Sequence, residues 1–300
     1  MKLSPTLAGA SLVVLATVGF SCMHAMIQYL GKQGLHGFEI AFFRNLFGMI
    51  VLGPILIKHG LEPFRTTKLR LHFIRAGVNS VAMLMFFYGI TTGIALGLVQ
   101  ALSFTAPLFT SILAVIFLGE RMRAHRWTAL FVGFIGTLII LRPGVAEIPA
   151  GAWLLLGAAM MWGIAMVIIK RLTATDSAVT VSLYMVVMLT PISGIAASFF
   201  WQWPTTEQFM WLVAIAVIGT GAQLAFTQAF RLADATAVLP FDFSKLIWSA
   251  LLGWIFFAQV LDVWVWVGAI LIFFSGFYIA YRERKVSGAE PVVREPMRPV

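Results

Sequence analysis

ADATAVLPFDFSKLIWSALLGWIFFAQ, running from Ala233 to Gln259, has the apolar density of a membrane helix, yet Asp242 and Lys245 sit well inside it. A charge at membrane depth is costly and faces a bundle interior or a wet cavity rather than lipid. The two residues are three apart, so on a helix they share a face and can neutralise each other. Ser249 carries the same stripe one turn further. Lipid cannot cover that face, so other parts of the chain must.

The whole chain fits this reading. Of 300 residues, 60% are hydrophobic and 11% charged, with a mean hydropathy of +0.94. No soluble domain hides that much apolar surface. The expected fold class is an all-α integral membrane protein. The net charge of +9 does not point to nucleic acid, because the basic residues lie in short loops between apolar runs. That is an orientation signal. Cys22 is the single cysteine, so no intrachain disulfide is possible. The first apolar run is too long for a signal-peptide core and no small-residue cleavage site follows it, so it reads as an uncleaved span.

A span needs about 20 mostly apolar residues. Ten such runs are present: Leu7–Leu30, Phe38–Ile57, His72–Thr91, Leu96–Leu118, Trp127–Leu141, Ala152–Ile169, Ala178–Trp201, Phe209–Phe230, Thr236–Phe257 and Val263–Tyr281. With the N-terminus cytoplasmic, 17 of the 21 lysines and arginines fall on the cytoplasmic side. Only Lys32 and Arg142 fall on the other, and Arg44 and Lys245 are intramembrane. This asymmetry predicts cytoplasmic N- and C-termini in the inner membrane. An error of one span would scramble it.

The chain also repeats. An offset of 139 places Trp127 on Trp266, Phe134 on Phe273, Phe104 on Phe243, Phe117 on Phe256 and Gly119-Glu120 on Ala258-Gln259. An offset of 142 places Gly9-Ala10 on Gly151-Ala152 and Phe20 on Trp162. Two halves of five spans follow, residues 1–145 and 146–282, with a charged tail at 283–300 expected to be disordered. Five is odd, so the second half is inverted relative to the first. Secondary transporters use that arrangement to alternate access around a midplane site. Asp242 maps on Ser103 and Ser249 on Thr110. The fourth and ninth spans thus carry equivalent polar stripes, as a central cavity between the halves requires. Pro107 removes a backbone donor and predicts a kink in the fourth span.

Several stretches together resemble the drug/metabolite transporter superfamily in its EamA-type branch. They are Phe42-Phe43-Arg44 in the second span and Tyr88-Gly89 through Gly97 at the third connection. The fourth span ends in Phe117-Leu118-Gly119-Glu120, and WTALFVGFIGTLIILRPG runs from Trp127 to Gly144. The resemblance covers the chain to about Tyr281. It implies two inverted repeats of five helices and export or exchange of small metabolites, often amino acids. Gln259, where a Glu is common, and Lys245 depart from the family pattern.

Candidate substrate-contacting residues follow from polarity at depth. Asp242 and Lys245 either hold the ends of a zwitterion, or Asp242 carries a coupling proton, or the pair only anchors its helix. Arg44 attracts a carboxylate, snorkels, or pairs with Glu39. His24 and Gln28 share a face of the first span; His24 suits the pathway and Gln28 an interhelical bond. Asn79, Gln100, Ser103, Gln223 and Thr227 either line a cavity or glue helices together. The mid-span aromatics Tyr88, Phe104, Trp162 and Trp248 either stack on a flat substrate or pack as bulk. Gly133 and Gly136 form a small-residue ridge suited to close helix packing.

No phosphate loop, metal-spaced cluster or catalytic triad is present, so no cofactor is expected and an enzyme is disfavoured. The expectation is a secondary transporter, in a monomer or homodimer, of amino acids of the bulky neutral or aromatic kind. Its alternatives are an exporter of amphipathic drug-like compounds and a membrane-embedded lipid-modifying enzyme.

Overall fold

The computed structural model describes residues 5–59, 66–118, 124–145, 147–172, 175–176, 178–232 and 241–287. Among these are eleven helices. They are α1 (Pro5–Lys32), α2 (Gly37–His59), α3 (Leu69–Thr91), α4 (Leu96–Ser103), α5 (Ala106–Leu118), α6 (Ala124–Leu141), α7 (Ala150–Leu172), α8 (Ala178–Ser198), α9 (Thr206–Leu232), α10 (Ser244–Phe257) and α11 (Val263–Ser287). Helices α4 and α5 are the two parts of the fourth span. α10 is the main part of the ninth, whose residues 236–240 lie outside the described residues. The architecture is therefore the expected one of ten spans in two inverted halves. The last helix continues through Tyr281 to Ser287, past the expected start of the tail, and residues 288–300 lie outside the described residues.

The packing repeats the internal symmetry of the sequence. Helix α1 lies on α9 as α3 lies on α7. Likewise α2 lies on α9 as α3 lies on α8, and α1 lies on α10 as α5 lies on α7. The pairs α2–α8, α4–α10 and α6–α11 map onto themselves. Nearly all the large contacts join one half to the other, so the core is the seam between them.

The fourth span breaks at Phe104-Thr105, not at Pro107. The hydroxyls of Ser103 and Thr105 turn back onto the carbonyls of Val99 (2.7 Å) and Leu102 (2.6 Å), which ends α4. Pro107 then falls in the first turn of α5, where a missing N–H costs nothing. The equivalent Phe243 caps the start of α10. The two phenylalanines stack across the seam, with ring centroids 5.7 Å apart and planes at 20°. The breaks of both halves thus meet near the pseudo-twofold axis.

Helix α10 ends on Ala258, held in the left-handed region at φ 53°. Its N–H and that of Gln259 bond back to the carbonyls of Trp254 (3.2 Å) and Gly253 (3.0 Å). This closure favours glycine, and the aligned residue of the first half is Gly119. Ala258→Gly should therefore raise stability by about 1 kcal/mol, read as a higher melting temperature in detergent. An unchanged or lower value would show that the strain is absent.

At the end of the bundle that carries the termini, Asp176 joins the halves. Its Oδ2 accepts from the Thr66 hydroxyl at 2.5 Å and lies 2.7 Å from Nε2 of the buried His72. The Thr66 hydroxyl, and then His72, hold the Asp176 carboxyl below the usual carboxylate range. A carboxyl lowered on folding stabilises above its unfolded value, about 3.9, and loses that share as pH falls through the lowered value. The melting-temperature gap between wild type and Asp176→Asn should hold from about pH 7 to 5 and shrink below about pH 4. A gap that grows on acidification would overturn this.

Candidate substrate cavity

A cavity of about 330 Å³ lies in the seam, walled by both halves. The first half supplies Phe20, Met23 and His24 from α1, Arg44 from α2, Asn79, Met83, Phe86 and Phe87 from α3, and Gln100 and Ser103 from α4. The second supplies Trp162 from α7, Met185 and Leu189 from α8, Gln223 from α9 and Lys245 from α10. The volume is at the low end for sites that hold a small organic molecule.

Eight of the sequence candidates sit on this wall: His24, Arg44, Asn79, Gln100, Ser103, Trp162, Gln223 and Lys245. Nδ1 of His24 lies 2.6 Å from the Gln100 amide nitrogen. That amide donates, which leaves Nε2 of His24 to carry the ring proton. The His24 ring also meets Phe86 edge-on at 5.2 Å, and Phe86 meets Trp162 at 5.0 Å. Trp162 and Phe20, paired by the repeat, both reach the wall.

Lys245 and Asp242 form the expected ion pair, with Nζ 2.6 Å from Oδ1. Only Lys245 reaches the cavity; Asp242 stands behind it. The ammonium also sits over the rings of Phe20 (5.2 Å) and Phe226 (5.0 Å). Ser249 donates to the Ser21 hydroxyl at 3.0 Å, and the Thr17 and Ser244 hydroxyls share a bond of 2.7 Å. The polar stripe of the ninth span is thus covered by α1.

Four other candidates lie off the wall. Tyr88, at the end of α3, stacks on His36 at 4.9 Å. Phe104 is taken up by Phe243 and by Phe273 of α11. Thr227 is exposed and donates to the Gln223 carbonyl at 2.8 Å. Trp248 lies one turn beyond Lys245, with its indole nitrogen buried. Tyr88 and Thr227 lie near helix ends, and at Phe104 and Trp248 the helix turns the side chain away from the cavity.

The wall also holds residues whose chemistry did not single them out: Met23, Met83 and Met185, with Phe86, Phe87 and Leu189. Apolar side chains in an apolar helix carry no mark of what they face. Arg75, counted on the cytoplasmic side and near the start of the third span, is buried in α3 and donates to the Val181 carbonyl of α8 at 2.6 Å. Glu39 does not pair with Arg44; its oxygens accept the backbone N–H groups of Gln202 (2.6 Å) and His36 (3.3 Å).

The end opposite the termini is shut one turn beyond His24 and Gln100. Gln28 donates to the Ile94 carbonyl at 2.6 Å and accepts from the Gln259 amide at 3.0 Å. The Gln259 carbonyl accepts from the Leu96 N–H at 3.0 Å. Further out, Arg142 pairs with Asp262. This chain of amides joins both halves with no charged group in it.

A family model described as the EamA-like transporter family matches residues 7–142 and again 149–281. The chain belongs to the EamA-like transporter family. It is a multi-pass membrane transporter of small molecules and not an enzyme. It is 30% identical to an S-adenosylmethionine uptake transporter of Rickettsia felis, covering 93% of this chain and 94% of that one. It is 31% identical to a riboflavin transporter of Vibrio cholerae, with coverage of 95% and 96%. A pseudopaline exporter of Pseudomonas aeruginosa is 28% identical, with coverage of 88% and 93%. A solved structure described only as the crystal structure of a protein shares the fold. Its TM-score is 0.57 at 16% identity, and it covers 94% of this chain and 98% of that one. The EamA-like halves are what wall the cavity, each contributing aromatic and polar groups.

Proposed function

We propose that this chain carries small, flat organic metabolites across the cytoplasmic membrane by alternating access, with aromatic amino acids as the first candidates. The observation that carries the reading is the cavity in the seam, closed at one end by the Gln28–Gln259 chain and rimmed elsewhere by the exposed Gln223. Residues 1–145 and 146–282 are the halves that rock about it. The lysine and arginine distribution supports a cytoplasmic location for the end with the termini, and with the opposite end closed this conformation loads or releases on the cytoplasmic side. One chain walls the cavity, which supports the monomer as the unit of transport, whether alone or within a homodimer.

Trp162, Phe86 and Phe20 favour a ring system. Relatives named for riboflavin and S-adenosylmethionine, both molecules with flat heteroaromatic rings, support that reading. Arg44 and Lys245 on the wall count against amphipathic cations.

The test is counterflow into liposomes holding the purified protein, using labelled aromatic amino acids, riboflavin and S-adenosylmethionine, with and without a pH gradient. Saturable flux of one class is the expected result. Flux that ignores pH makes the protein a facilitator; flux that needs the gradient makes Asp242 the first proton carrier to neutralise. No saturable flux of any organic compound would refute the reading.

A further inference from the structure

We infer that the cavity selects for negative charge, that Arg44 reads it, and that the ligand class is a flat aromatic or heteroaromatic acid; this rests on the transport reading above. The wall holds two cations, Arg44 and Lys245, and none of its fifteen residues is an acid. The two cations differ. Lys245 is answered by Asp242 and by two rings. Arg44 has no acid partner among the described residues. Its Nη1 donates to the Asn45 carboxamide oxygen at 3.2 Å, and its Nε is buried without a partner. Glu39, five residues earlier on the same helix, is held by two backbone N–H groups.

Asn45 holds that guanidinium in place. Its own amide donates to the Ser193 hydroxyl of α8 at 3.2 Å, which fixes the oxygen that Arg44 uses. Gly219 of α9 lets Met23 pack close beside Arg44, since a Cβ there would run into Met23 Sδ at 2.4 Å and lie 3.9 Å from Nε. The result is a positioned, unneutralised fork donor in a membrane cavity. Guanidinium forks match carboxylates and phosphates in two parallel hydrogen bonds. An anionic ligand removes the cost of the buried unpaired charge. A neutral ligand leaves it, and a cationic one adds repulsion from Arg44. The neighbouring Phe86 and Trp162 supply the apolar, ring-binding part of the same wall.

The experiment holds the ring constant and varies the charge. Labelled indolepropionate (anion), tryptophan (zwitterion) and tryptamine (cation) are bound to the detergent-purified protein by equilibrium dialysis, beside the liposome panel. Affinity should fall in that order, with the anion favoured over the cation on the order of tenfold to a hundredfold. Arg44→Gln should collapse that preference, and Arg44→Lys should restore part of it, each variant first confirmed monodisperse. Tryptamine binding as tightly as indolepropionate, or an anion preference unchanged in Arg44→Gln, would overturn the inference. Binding of none of the three, with saturable flux of another metabolite, would overturn it too and leave the transport reading standing. Absence of all flux would strike the transport reading itself.

Discussion

Asp242→Ala should abolish transport and lower stability by about 3 kcal/mol, the low end for breaking a buried ion pair. Lys245 faces the cavity and Asp242 lies behind it, at 2.6 Å, with their side chains only 18% and 19% exposed. Removing the carboxylate leaves an ammonium at membrane depth beside the Phe20 and Phe226 rings, with no acid answering it among the described residues. The double variant Asp242→Ala/Lys245→Met should regain most of the stability, because no lone charge remains. It should not regain transport, because the wall has lost one of its two cations. Thermal unfolding in detergent and liposome flux separate the effects. A double variant no more stable than the single one would show that the unpaired charge is not the cost.

Gly268→Leu should have the opposite profile, a large loss of folded protein with little change in substrate affinity. Helices α6 and α11 cross at Gly136 and Gly268 with their backbones in contact. A Cβ at Gly136 would lie 2.7 Å from the Gly268 carbonyl oxygen, and one at Gly268 only 2.5 Å from Ile140 Cγ1. The obstacle at the crossing is backbone, which cannot rotate away as a side chain can. Forced separation would also pull the Ser275 hydroxyl from the Ala129 carbonyl that it holds. Overpacking of this kind costs roughly 1–3 kcal/mol, and a leucine at a backbone contact belongs at the upper end. Yield of monodisperse protein and melting temperature measure it. A variant that melts like wild type would disprove the close crossing. No described residue of α6 or α11 lines the cavity, so the surviving folded fraction should bind substrate normally.

The ridge at Gly133 and Gly136 was visible in the sequence because small residues at helical spacing have few other uses in a membrane helix. Its partner was not, since many helices can accept such a ridge. The position of the span-four break was missed for a local reason. Proline draws attention as a helix breaker, but Pro107 is harmless in a first turn, and the hydroxyls of Ser103 and Thr105 end α4 instead. The family's usual Glu, replaced here by Gln259, marked a departure without showing its use. Only packing reveals that the amide completes a neutral seal with Gln28, Ile94 and Leu96.

What the sequence by itself determined is the membrane class, the ten spans, the inverted pairing of halves and the placing of Asp242 and Lys245 on one helix face, within reach of each other. Each is a property of one segment, or of two segments aligned by offset: apolar length, basic loops, a charge with its partner one turn away. What only the tertiary structure decided is which side of each helix faces the cavity. That choice brought Arg44 to the wall without an acid partner among the described residues, turned Tyr88, Phe104, Thr227 and Trp248 away, and buried Arg75 against α8. The physical reason lies in the solvent. In water an apolar stripe marks the buried face of a helix, but lipid is as apolar as the core. Hydropathy therefore reports that a helix is in the membrane and not which way it faces. Orientation is settled by close packing and by polar contacts between the halves, which join residues far apart along the chain.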